Sequence, residues 1–110
     1  MERINIEAYS FRQRNDLLHE LEKTITENGS WIMDHQLFAN RSITLSVVTD
    51  TFKLEKIFND LRLIELDLND DRIEGILMSK LEYQEPENII LCLSINIMRQ
   101  HNGKSISLPV

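Results

Sequence analysis

Between Arg3 and Ala8 apolar and polar residues alternate. Ile4, Ile6 and Ala8 point one way and Arg3, Asn5 and Glu7 the other, the period-two signature of a short strand. Ser10 is placed to cap a helix. Beyond it Phe11, Leu18, Leu21 and Ile25, with Leu17 beside them, form one apolar stripe. Arg12, Gln13, Asp16, Glu20 and Lys23 are left to water. Asn28-Gly29 predicts a left-handed stop to that helix.

Trp31–Phe38 and Ile43–Val48 read as two strands. Ala39-Asn40-Arg41 between them suits a tight connection, so the pair is predicted to be a hairpin. Thr49-Asp50-Thr51 offers capping side chains for a second helix. In it Leu54, Ile57, Phe58 and Leu61 recur at helical spacing. From Ile64 to Leu68 the period returns to two, as in a short edge strand or an extended connection. Asn69–Gly75 reads as a polar turn, Ile76–Tyr83 and Ile89–Met98 as strands. Pro86 keeps the link between those strands out of a helix. Ile89, Leu91, Leu93, Ile95 and Ile97 make one unbroken apolar face. After Arg99 the chain turns polar.

The predicted order, β-α-β-β-α-β-β, resembles the ferredoxin-like α/β sandwich, βαββαβ, with one added C-terminal strand. The fold class is therefore α+β, with two helices on one face of an antiparallel sheet. Residues 1–99 form one domain and residues 100–110 a flexible tail. Which strand is central stays open. The last strand is more apolar than Arg3–Ala8, so an arrangement with Ile89–Met98 in the middle is an alternative.

If both helices cover one face, the other is free. Parity puts Thr44, Ser46 and Val48 on the free face, with Ile90, Cys92, Ser94, Asn96 and Met98. In Trp31–Phe38 the more apolar set, Trp31, Met33 and Leu37 with His35, is assigned to the core. Ile32, Asp34, Gln36 and Phe38 are then outside. A face mixing small polar groups with apolar ones fits a contact surface better than a solvated one. Asp34, Gln36, Phe38, Thr44, Ser46, Cys92, Ser94 and Asn96 are its ligand or interface candidates.

Charge narrows the partners. The formal net charge is −6, and no basic run offsets it, which disfavours binding to phosphate backbones. An RNA reader of the same strand order would need stacking aromatics and basic surroundings where Ser94, Asn96 and Thr44 stand. No apolar run reaches membrane-spanning length, since the longest is Ile89–Leu93. The first ten residues carry charges where a signal peptide has its apolar core. One cysteine, Cys92, allows no intrachain disulfide, and a reduced cytoplasmic setting follows. No nucleic-acid or membrane partner is expected.

Candidate chemistry is sparse. Asp67, Asn69 and Asp71 have the spacing of the first calcium ligands of an EF-hand loop, but Arg72 stands where glycine is needed and Met78 where a bidentate Glu is needed. A solvated acidic turn is the better reading. Neighbours on a strand point to opposite faces, so Asp34 and His35 cannot act on one group. His35 reads as a core or near-core histidine, His19 as surface, and His101 lies in the tail. Cys92 reads as a structural thiol. Gly29, Gly75 and Gly103 are isolated, so no phosphate loop and no cofactor are indicated. Arg12 and Arg14, at the start of the first helix, are anion candidates; pairing with nearby acids such as Asp16 is the simpler reading.

Glu7-Ala8-Tyr9, Arg12-Gln13-Arg14, Gly29-Ser30-Trp31-Ile32 and Phe38-Ala39-Asn40-Arg41-Ser42 together resemble a family of small uncharacterised bacterial proteins with a ferredoxin-like domain. The stretches span residues 1–42, and none is a catalytic motif. The resemblance implies a fold and a bacterial source, and no activity. At the level of element order the chain is also similar to ACT-type regulatory domains, which bind small metabolites at dimer interfaces. The expectation is a non-catalytic interaction or regulatory module, a homodimer or other homo-oligomer. The alternative is a small-molecule-binding domain or enzyme, with Asp34, Gln36 and Asn96 as polar contacts at a subunit interface.

Overall fold

A computed structural model describes residues 1–39 and 41–98. The expected tail at 100–110, His101, Arg99 and the Asn40 of the hairpin turn lie outside the described residues. The protein is α+β. Its elements are β1 (Glu2–Ser10), α1 (Arg14–Glu27), β2 (Trp31–Phe38), β3 (Ser42–Asp50), a 3-10 turn (Thr51–Lys53), α2 (Leu54–Leu63), β4 (Asp67–Leu68), α3 (Asp70–Ser79) and β5 (Asn88–Ile97).

The five strands form one sheet in the order β2-β3-β5-β1-β4. The last strand is central, as its composition argued. The sheet is mixed, in correction of the antiparallel expectation: β5 is antiparallel to β3 and parallel to β1. The register explains the placement. Ile4, Ile6 and Ala8 lie beside Leu91, Leu93 and Ile95, and Ile43, Leu45 and Val47 beside Ile95, Leu93 and Leu91. Three strands thus turn their apolar sets to the same side. There they meet Leu17, Leu21 and Ile25 of α1, Leu54, Ile57, Phe58 and Leu61 of α2, and Ile73 and Ile76 of α3 in a single buried cluster.

The largest correction concerns residues 69–83. The predicted turn at Asn69–Gly75 and strand at Ile76–Tyr83 are replaced by helix α3, so the described residues hold three helices, and β5 alone follows the position of the sixth predicted element. Asn69 caps the helix by accepting the Arg72 backbone N–H at 2.9 Å, and Asp70 and Asp71 sit in the first turn, where carboxylates favour the positive helix end. Ile73, Ile76 and the partly buried Leu77 keep helical spacing against the core. The acidic cluster that resembled a calcium loop is therefore a helix start. Gly75, read as part of a break, lies inside the helix with open space around its Cα. Ile64–Leu68 yields only two paired residues, with Leu68 opposite Ala8 and Asp67 opposite Tyr9.

Smaller differences arise at α1. The helix begins after Gln13, and Ser10 accepts the Arg12 N–H at 3.1 Å without capping it. Phe11 falls outside the stripe and is exposed. The other end is as predicted: Gly29 has φ 69°, the Ser30 N–H donates to Ile25 O at 3.1 Å and the Gly29 N–H to Thr26 O at 3.0 Å, a Schellman stop. Asp60 Oδ2 accepts from Asn28 Nδ2 at 3.0 Å, which ties the end of α1 to α2, and from Lys56 Nζ at 2.7 Å. These donors, Lys56 first, hold the Asp60 carboxyl below its ordinary range.

Three outcomes follow. Gly75→Ala raises stability by about 0.5–1 kcal/mol in urea unfolding, because the helix interior gains a side chain without a clash. Leu93→Ala lowers it by about 2–5 kcal/mol, the ordinary result of a cavity in a closed core. Because the folded-state pKa of Asp60 is depressed, its contribution is present above the unfolded pKa and lost as pH falls through the folded one. Asp60→Asn should flatten the acid limb of a stability-versus-pH curve, and an unchanged limb would remove Asp60 from the account.

Candidate interaction surface

All three described helices lie on the inner side of the sheet, and none of the described elements covers its outer side. The register sorts the outer side chains into four rows across β2, β3, β5 and β1. They are Trp31-Val48-Ile90-Arg3, Asp34-Ser46-Cys92-Asn5, Gln36-Thr44-Ser94-Glu7 and Phe38-Ser42-Asn96-Tyr9. The structure places all eight ligand or interface candidates in the last three rows. Asp34, Ser46 and Cys92 share one row, Gln36, Thr44 and Ser94 the next, and Phe38 and Asn96 the last. Arg3 Nη1 lies 3.5 Å from Cys92 Sγ.

One parity assignment is corrected. β2 carries a bulge at Met33, between the Ile32–Val47 and Asp34–Ser46 pairs. The extra residue exchanges the faces before it. Trp31, assigned to the core, lies outside, and Ile32, assigned outside, lies within. The signal was present: Trp31, Ile32 and Met33 are three apolar residues in a row, which no unbroken period of two allows. His35 faces the inner side as expected, but it is exposed and is not a core histidine.

β2 is the sheet's outermost strand, and every residue in it except Ile32 is exposed. Trp31 retains 59%, Met33 49%, Leu37 38% and Phe38 52% of its surface. The opposite edge is built differently. β4 is only two residues long, begins with Asp67, and runs directly into α3. Short, charged edges resist further pairing, whereas a long edge without Lys or Pro invites it.

Beside β4 the outer face deepens into a cleft of about 680 Å³, lined among others by Asn5, Glu7, Tyr9, Asp67, Arg72 and Ser94. Arg72 Nη2 donates to Asn5 O at 3.1 Å, which holds the guanidinium at the cleft. Sequence reading treated Arg72 only as a departure from a calcium motif, because its neighbours in space come from β1 and β5.

The two anion candidates do not converge. Arg12 turns to the α2–β4 connection, 3.5 Å from Ile64 O and 3.9 Å from Glu65. Arg14 donates to Ala39 O at the β2–β3 turn. Both have local partners, although Asp16 is neither of them. No group of three or more His, Cys, Asp or Glu among the described residues could hold a metal ion. None of the described helices is long and apolar enough to cross a membrane.

Comparison with protein families, curated proteins and solved structures gives no match for this chain. If the outer face is accessible in solution, a water-soluble thiol reagent should label Cys92 in the folded protein. Labelling only after unfolding would show the face to be covered.

Proposed function

We propose that this chain is a non-catalytic interaction module that self-associates, as a homodimer or other homo-oligomer, through the β2 end of its sheet. The observation that carries this reading is the eight-residue edge strand with Trp31, Met33, Leu37 and Phe38 exposed. Apolar surface and unpaired backbone groups on one strand favour removal from water together, and strand addition does both. The candidates Asp34, Gln36 and Phe38 then belong to the contact itself. Thr44, Ser46, Cys92, Ser94 and Asn96 form the floor that continues from it. A bacterial, cytoplasmic module akin to small ferredoxin-like proteins is part of the same proposal. It is supported by the first five elements, β1-α1-β2-β3-α2, and by the sole cysteine.

Absolute mass by light scattering over a hundredfold dilution tests this. The expected result is a mass above that of one chain at high concentration, falling on dilution. Leu37→Lys should weaken association at least about tenfold, as a charge on the edge opposes pairing. A single-chain mass at every concentration would overturn the proposal. Ser94→Lys with Asn96→Lys should leave the mass unchanged, and dissociation in that variant would move the contact from the strand edge to the sheet face.

The cleft favours a second reading, a small-molecule-binding module. Its volume lies in the range of ligand sites, and its lining includes Glu7, Asp67 and Arg72. On this reading a charged metabolite raises the melting temperature by a few degrees, and Arg72→Ala abolishes the shift. A panel of amino acids and nucleotides without effect would count against it.

A further inference from the structure

We infer that two copies join β2 to β2 antiparallel about a two-fold axis at His35, making one continuous ten-stranded sheet. This deepens the self-association reading and rests on it.

The argument is one of register. Residues directly opposed in an antiparallel pair share a face. In β2 the outer residues are Trp31, Asp34, Gln36 and Phe38, the inner ones Ile32, His35 and Leu37, and Met33 is the bulge. With His35 opposite the partner's His35, Asp34 meets the partner's Gln36. Both copies then skip Met33. Ile32 meets the partner's Leu37, and Trp31 meets the partner's Phe38. Every contact joins like faces, and all eight residues of the strand take part except the bulged one. The outer side gains two Trp–Phe pairs and the inner side two Ile–Leu pairs, the kinds of cross-strand pair that stabilise sheets.

Neighbouring axes do worse. An axis at Gln36 pairs only residues 34–38 and leaves Trp31 and Ile32 bare. An axis at Asp34 sets two carboxylates opposite one another, which is unfavourable. The bulge itself tends to blunt an edge. Here it also carries Trp31 to the face that holds Phe38, and without it the two aromatic residues would lie on opposite sides.

Charge and area agree with a second copy as the occupant. At a net charge of −6, stacking two outer faces would bring the carboxylates Glu7, Asp34 and Asp67 of both copies into one interface. The edge sets only Asp34 among carboxylates, and beside an amide. The exposed parts of Trp31, Met33, Leu37 and Phe38 amount to roughly 400 Å² per copy on ordinary side-chain areas. With eight residues of backbone from each copy, the buried total reaches the lower range of specific interfaces, about 1,200 Å². Such an area fits a dimer at the micromolar end of affinity.

Cysteine cross-linking in a Cys92→Ser background tests the register. Opposed Cα atoms in antiparallel strands lie about 4.5–5.5 Å apart, within disulfide reach. His35→Cys should oxidise to a covalent dimer at least about fivefold faster than an exposed control on α1, Glu22→Cys. Trp31→Cys alone and Phe38→Cys alone should match the control, and an equal mixture of the two should yield the mixed dimer. All four sites are exposed, and circular dichroism confirms that each variant is folded. A wild-type dimer in which His35→Cys cross-links no faster than the control would overturn this register and leave self-association standing. A wild-type monomer would overturn both.

Discussion

The structure depends on the burial of one face of β5. Ile89, Leu91, Leu93 and Ile95 retain at most 1% of their surface, and a strand so apolar on one side is stable only with a partner at each edge and helices above. Once β5 is central, β1 must lie beside it in parallel and β3 antiparallel, because those are the strands whose apolar sets fall in step with it. The helices follow from the same constraint. Each contributes a stripe to the one cluster, so all three occupy the inner side and the outer side receives none.

That arrangement leaves the two margins of the sheet unlike each other. At the β1 margin the chain closes itself with β4, a two-residue strand held against α3, and Arg62 of α2 reaches Asp70 at 2.9 Å to fix the start of that helix. At the β2 margin no further strand follows among the described residues. β2 pairs only with β3, and the α1 stripe reaches its limit at Ile25 and the Schellman turn. The apolar content of β2 cannot be explained by the core, since its large side chains remain in water. A strand that is apolar, extended and at the edge of its sheet is the kind of edge that favours pairing with a further strand. The same outer face also carries a cleft beside β4, so one margin of the sheet has a polar cleft and the other exposed apolar side chains.

Much of this was legible along the chain. The periods of two and of 3.6 located four of the five strands and two of the three helices, because their alternation reports which side is dry. The free face was legible too, and with it Asp34, Gln36, Phe38, Thr44, Ser46, Cys92, Ser94 and Asn96. The stretch at 69–83 was misread because it is short and contains Gly75. Its apolar residues Ile73, Ile76 and Leu77 suit a helix, while Ile76, Met78 and Lys80 can also be aligned as a strand. The choice was made in three dimensions, where the Asn69 cap and packing on α2 outweigh the weak local preference of glycine.

What the sequence by itself determined is local: the alternation of β1, β3 and β5, the stripes of α1 and α2, the stop at Gly29, and an acidic surface without a basic patch. Those properties follow from side-chain spacing and charge, which need no neighbours. Tertiary structure alone decided the rest. It set the mixed order with β5 between β3 and β1, the bulge at Met33 that turned Trp31 outward, the meeting of Asn5, Glu7 and Ser94 with Arg72 in one cleft, and the separation of Arg12 from Arg14. Each is a contact between residues distant in the chain, fixed only when the apolar face of β5 was closed.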